Sequence, residues 1–245
     1  MSDATPTVVL VHGAFADASS WSGVIERLQG KGVTVIAPAN PLRGVAHDSA
    51  YTAAVFEQID GPVLAVGHSY GGAVITNAAT DAKNVVGLVY VAAFAPEEGE
   101  TLGAAEANSK DSVLNSALVT RQYPTADGKS ATEFSIDPPK TRAAFSGDLS
   151  DEQTALIAAT QRPIAEAAFT DTSGPPAWKH LPSWAVVATG DKAAGTDVVR
   201  SMAERAGAKI TELEGSHVIM ISQPEAVTNV ILEAVTAAAS VPVGA

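Results

Sequence analysis

Residues 63–75 read VLAVGHSYGGAVI, an apolar run that breaks into glycines around one serine, Ser69, and then becomes apolar again. Gly67, Ser69 and Gly71 form a GxSxG pattern. A sharp strand-to-helix turn there lifts the hydroxyl to the tip of a sheet, and the glycines avoid collisions with nearby backbone. A serine hydroxyl is a weak nucleophile until a base takes its proton, so the pattern calls for a histidine and a carboxylate to orient it. His217, in LEGSHVIM, follows the last strand-like run, and Asp191, in VVATGDKAAG, follows the run before it. The order Ser69, Asp191, His217 suits a triad whose members end different strands of one parallel sheet. A rival source of the acid is FAPEEGE, where Glu97, Glu98 and Glu100 cluster after an earlier run.

The other parts of such a site follow from charge. A developing oxyanion needs N–H donors, and Tyr70 opens the helix-like segment after Ser69, where free amides and the positive dipole end lie. Ala14, in the loop His12 to Phe15, is the candidate second donor. Of the remaining histidines, His68 lies within the turn and should point into the scaffold, His47 opens a helix, and His180 sits in a proline-flanked turn. Phe15, Trp21 and Phe94 flank these loops and are candidate substrate contacts, with plain core as the alternative.

The elements that must position these groups are legible as alternating runs. TVVLV (7–11), VTVIA (33–37), PVLAV (62–66), VVGLVYV (85–91), SWAVVAT (183–189) and KITEL (209–213) are mostly continuously apolar, as strands buried on both faces of a parallel sheet are. Helix-like segments separate them: 20–29, 49–59, 70–80, 197–206 and 224–239. This βαβα alternation predicts an α/β domain with helices on both faces of the sheet. From about Pro96 to Lys179 the alternation stops, and polar, alanine-rich pieces predict short helices in an insertion rather than a long bare loop. TQRPI (160–164) falls in this insertion, with no role readable from its residues. The last six residues, SVPVGA, read as a frayed tail.

Composition narrows the class. A chain of 245 residues with 46% hydrophobic and 17% charged residues can bury one sizeable core and reads as a single domain, residues 1–245. A net charge of −12 argues against nucleic-acid binding, which relies on lysine and arginine to neutralise phosphates. There is no cysteine, hence no disulfide or thiol nucleophile, and the five histidines show no paired ligand spacing. No metal or cofactor is expected. The start of the chain lacks a signal-peptide pattern and no apolar run approaches the ~20 residues of a membrane span. The expectation is a soluble cytoplasmic protein without a membrane partner, its oligomeric state left open, with a homodimer among the options.

Taken together, VVLVHGAF, GHSYGG, ATGD and EGSHVIM resemble the α/β-hydrolase superfamily. PTVVLVHGAFADASSW, AAFAPEEGE, AWKHLPSWAVVATGDKA, RSMAERAGA and GSHVIMISQPEAV resemble, more narrowly, bacterial relatives of the plant methylesterases and hydroxynitrile lyases. The resemblance spans about Pro6 to Val235. It implies an α/β-hydrolase fold with a six-stranded, mostly parallel sheet, a helical cap over the site at about 96–179, and a Ser-His-Asp esterase acting on a small-molecule ester without a cofactor. Lyase members carry a threonine after the first-loop histidine and a lysine after the catalytic histidine; here these places hold Gly13 and Val218, which sides with the esterases. Lyase-like or perhydrolase-like chemistry on the same triad, and a receptor that has lost turnover, are the alternatives.

Overall fold

The computed structural model describes residues 5–239, so the expected frayed tail lies outside the described residues. The chain begins with β1 (Thr7–Val11), α1 (Ser22–Gly30), β2 (Val35–Ile36), α2 (Val45–Glu57), β3 (Val63–His68), α3 (Tyr70–Ala78) and β4 (Val85–Val91). It then leaves the main sheet for α4 (Leu102–Ala107), β5 (Leu118–Pro124), β6 (Ser130–Ile136), α5 (Thr141–Ala144), α6 (Asp151–Thr160), β7 (Ile164–Ala165) and α7 (Ala167–Thr170). It returns with β8 (Ser183–Ala188), α8 (Thr196–Arg205), β9 (Lys209–Leu213), α9 (Ile219–Ser222) and α10 (Pro224–Ala239).

The main sheet has the order β2-β1-β3-β4-β8-β9 and every pairing in it is parallel. Its interior strands β3 and β8 are buried at every position, which is why their sequences run apolar without alternation. The edge strand β2 pairs with β1 at two residues only, shorter than the run 33–37 predicts, because an edge strand has a partner on one side alone. Parallel strands bring all their carboxyl ends to one edge of the sheet. Val11 is level with Gly67, His68 with Val91, Val91 with Val186 and Ala188 with Leu213. The loops after β1, β3, β8 and β9 therefore open side by side, as ligand-binding loops of such sheets do.

The cap departs from the helical insertion expected there. It has helices, but also a three-stranded antiparallel sheet, β5-β6-β7. Residues 109–123, SKDSVLNSALVTRQY, one of the polar, alanine-rich pieces for which a short helix is expected, instead run into β5, which pairs along its whole length with β6. The reason is local: Gly128 at φ 78° closes a tight turn at Thr125–Lys129, and β-branched and aromatic residues flank it. Ordinary helix signals do operate in α6, where Ser150 and Gln153 form a reciprocal capping box. Among the described residues, no helix is long and apolar enough to cross a membrane.

Candidate active site

Ser69 follows the last residue of β3 and caps α3 with φ 53° and ψ −125°, a left-handed conformation costly for a side-chain-bearing residue, on the order of 1–3 kcal/mol. The surroundings hold it there. Ser69 N–H donates to Val91 O at 3.3 Å, and its own carbonyl accepts from Gly72 N–H at 2.9 Å and Phe94 N–H at 3.2 Å. The predicted role of the glycines is visible in distances. A Cβ on Gly67 would stand 2.5 Å from Gly71 O, and one on Gly13 would stand 2.6 Å from Ser69 Cβ. The turn is also anchored from the side by Tyr70, whose hydroxyl donates to the fully buried Asp48 at 2.8 Å. Burial, with Asp48 adding to it, pushes the Tyr70 phenol well up, so it stays a neutral donor.

Asp191 and His217 meet as the loops after β8 and β9 converge. His217 Nδ1–H donates to Asp191 Oδ2 at 2.8 Å, with both side chains 1% exposed. The other carboxylate oxygen, Oδ1, accepts the N–H groups of Ala193 and Ala194 at 2.9 and 3.0 Å. Asp191 is therefore oriented by its own turn before it touches the histidine. With Nδ1 engaged, Nε2 is the histidine atom left for proton transfer, the geometry of a base held by a carboxylate. The rival acids face elsewhere: Glu97 pairs with Lys179 at 2.6 Å, Glu100 with Arg205 at 2.5 and 2.7 Å, and Glu98 is exposed.

The remaining histidines have fixed places. His68 is fully buried and donates Nε2–H to the carbonyl of His217 at 3.0 Å, with the two rings 4.7 Å apart. Burial first, then the neighbouring His217, keeps it well below the usual imidazole range and neutral. It is a strut in the scaffold, as expected. His47 lies in the first turn of α2 beside Asp48, and His180 ends a one-turn helix at the surface.

His12 does more than end a strand. Burial pulls its pKa down to about 4. As a neutral ring it donates Nδ1–H to Gly13 O at 2.9 Å while Nε2 accepts Asn40 N–H at 3.0 Å. Because a trans peptide sets C=O and N–H in opposite directions, holding Gly13 O toward the ring turns the Ala14 N–H away from it. Tyr70, at the first position of α3, has an N–H without an intrahelical acceptor. Ala14, Tyr70, Ser69 and His217 all line one narrow cavity of about 10 Å³, room for a water-sized group.

Phe15 and Phe94 also line that cavity, whereas Trp21 lines neither it nor its neighbour. Trp21 is fully buried with its ring edge-on to His68 at 6.3 Å, so the expectation that it touches substrate gives way to a core role. Three groups in the site were missed from sequence. Phe145, from the cap, lies 5.1 Å from the His217 ring and 6.2 Å from Phe15, and with Phe15 stands between the narrow cavity and a wider one of about 240 Å³. Glu106, from α4, is buried in the narrow cavity's wall. Arg162, inside TQRPI, donates to Asn40 O at 2.8 Å and to His12 Nε2 at 3.3 Å, tying cap to oxyanion loop. Its neighbour Gln161 copies a peptide edge, bonding both Ile136 N–H and Ile136 O at 2.7 and 2.9 Å. Their only signal was an unexplained polar pair inside an apolar stretch.

The chain matches the family described as Alpha/beta hydrolase family over residues 8–230. No curated protein matches it. Among solved structures, it is similar to polyneuridine aldehyde esterase, with 21% identity, TM-score 0.79 and coverage of 94% of this chain and 99% of that one. It is similar to a pyrethroid hydrolase from Sphingobium faniae JZ-2, with 20% identity, TM-score 0.75 and coverage of 95% and 98%. It is also similar to tomato methylketone synthase I, with 18% identity, TM-score 0.75 and coverage of 96% and 99%.

Proposed function

The chain belongs to the alpha/beta hydrolase family, and from its site we propose that it hydrolyses carboxylic esters of small, largely apolar compounds through an acyl-enzyme on Ser69. The observation that carries this reading is the buried Asp191–His217 pair at 2.8 Å, whose histidine lines one cavity together with Ser69. An esterase and a pyrethroid hydrolase among the structures that share its fold are consistent with it.

Ser69 Oγ attacks the ester carbonyl as its proton passes to His217 Nε2, and Asp191 stabilises the imidazolium that forms. The oxyanion lies against the Ala14 and Tyr70 N–H groups, each such donor contributing about 3 kcal/mol to the barrier reduction. Collapse of the tetrahedral intermediate returns the proton to the departing alkoxide. Water, deprotonated by His217, then attacks the acyl-enzyme and releases the acid. Every proton taken is returned within the triad, so no cofactor is required. Val218, buried directly after His217, supplies no cation for a cyanide-like leaving group, which weighs against lyase chemistry. A receptor without turnover has no use for a carboxylate-oriented base beside a strained serine.

The test is release of nitrophenol from p-nitrophenyl esters of increasing acyl length by wild type, Ser69→Ala and His217→Ala. Serine-dependent turnover, lost by orders of magnitude in both variants, is the expected result. Turnover that survives Ser69→Ala overturns the reading.

A further inference from the structure

The wall of the narrow cavity is apolar except at Ser69, His217, Tyr70 and Glu106. Phe15, Phe94, Leu102, Leu114, Phe145 and Phe169 make most of it, and the hydroxyl of Tyr70 is committed to Asp48. Glu106 is 4% exposed, on the second turn of the short helix that opens the cap. Small-molecule cavities of this kind orient their ligand with a few polar groups set in apolar walls.

The bonds Glu106 makes do not account for a carboxyl being buried here. Ser112 Oγ is 3.3 Å from Glu106 Oε1, but the single proton of that hydroxyl has a better acceptor in Ala193 O at 2.6 Å. The segment carrying Ser112 is pinned to the core without Glu106: Ser109 Oγ donates to Asp197 at 2.6 Å, Lys110 N–H to Asp197 at 2.8 Å, and Val113 N–H to Lys192 O at 2.8 Å. The backbone of Asn115 is a further partner, and His217 is the charged group that bears on it. A buried carboxyl with such thin satisfaction costs stability, and a methylene-rich replacement would avoid that cost.

We propose that Glu106 is a specificity-determining residue, holding a hydroxyl group that the ester places in the narrow, water-sized cavity beside Ser69 and His217. The substrate class is thus an ester whose acid or alcohol portion bears a hydroxyl within a few bonds of the carboxyl group, in an otherwise apolar frame. A hydroxyl suits the place because it donates to a carboxylate and accepts from a carboxylic acid, and burial pushes Glu106 up to about 7, so both forms are present near neutrality. The inference rests on the ester-hydrolase reading for the nature of the substrate, but its test does not require turnover.

Methyl 3-hydroxybutanoate against methyl butanoate, and 3-hydroxybutyl acetate against butyl acetate, are titrated calorimetrically into the Ser69→Ala protein and into the same protein carrying Glu106→Leu or Glu106→Gln. The hydroxylated member of at least one pair is expected to bind about tenfold tighter than its partner, as one hydrogen bond to an ionisable group implies. Glu106→Gln, which can still donate and accept, keeps a preference of several fold; Glu106→Leu abolishes it and binds the plain ester at least as well. Glu106→Ala replaces the leucine variant if leucine is not accommodated. Equal binding within each pair, or a preference that survives Glu106→Leu, overturns the proposal. Hydrolysis of the same esters by the protein with Ser69 intact reads the hydrolase assignment separately.

Discussion

The parallel sheet and the cap build the same cavity by different means. Ser69, Asp191 and His217 each stand within four residues of the end of a strand, and strands β3 and β8 behind the first two are wholly buried. Their positions are set by sheet register and by backbone hydrogen bonds that any substrate would find unchanged. Phe145, Glu106 and Phe169 come instead from short helices and turns beside a hairpin whose strand β5 has no fully buried residue. The sheet thus fixes which bond-making atoms meet, and the cap fixes what shape and polarity meet them. Arg162 crosses the divide, a cap residue bonded to the loop that aims the Ala14 N–H.

If this division holds, changes in the sheet loops should slow every ester alike. Asp191→Asn should lower kcat by about 10,000-fold on all acyl lengths, because the histidine loses its orienting charge. Glu98→Gln, on an exposed side chain away from the cavity, should leave kcat within twofold. Steady-state kinetics on one acyl series checks both, and similar losses in the two variants would break the distinction. Arg162→Ala sharpens it from the other side. This cap substitution should cost about tenfold in kcat for short and long esters alike, a fraction of what deleting an oxyanion donor costs. A change confined to KM for long esters would return Arg162 to the cap.

Phe145→Ala tests the partition between the narrow and wider cavities. Removing the ring should raise kcat/KM for p-nitrophenyl octanoate relative to the acetate by about tenfold, the scale on which methylene selectivity in apolar pockets operates. An unchanged ratio would mean that Phe15 alone separates the two spaces.

The two regions also differ in how they answer pH. His12 and His68 in the core have folded pKa values below the ordinary 6.5, so the unfolded chain binds more protons and their contribution is lost as pH falls below about 6.5. Glu106 in the cap is raised from 4.5 to about 7, so its contribution is present at low pH and is lost as pH rises through that interval. Between pH 6.5 and 4.5 the two imidazoles and the carboxyl therefore pull stability in opposite directions on acidification. Glu106→Gln removes the opposing group and should steepen the decline, as read from urea unfolding across that interval. A shallower decline would contradict the assignment. At the bottom of the scale, Gln122→Ala on an exposed face of β5 should change stability by less than about 0.5 kcal/mol.

The same contrast governs what the sequence disclosed. Buried parallel strands must be apolar along their length, so β1 and β4 could be delimited to the residue, while the half-exposed edge strand β9 showed only as the short run KITEL, and the residues that end such strands could be ranked as a site. The cap hairpin escaped because LVTRQYP and SATEFSI are half-exposed and carry charges and hydroxyls, leaving the Asp127–Gly128 turn as their one strong signal. Trp21, for which substrate contact and core are both open from sequence, is placed by the fold alone, because proximity to the oxyanion loop in sequence does not say which way a ring turns. Glu106 and Arg162 had no readable role for a related reason: which distant residues share a cavity wall with Glu106, and that Arg162 reaches His12, is encoded by no local pattern.

The most direct measurement is covalent labelling with a fluorophosphonate, read by intact mass and peptide mapping. One phosphonyl adduct per chain, carried by Ser69, absent in Ser69→Ala and formed orders of magnitude more slowly in His217→Ala, is the predicted result. No adduct on the wild-type protein, or an adduct on any other residue, would contradict a nucleophilic Ser69 activated by His217.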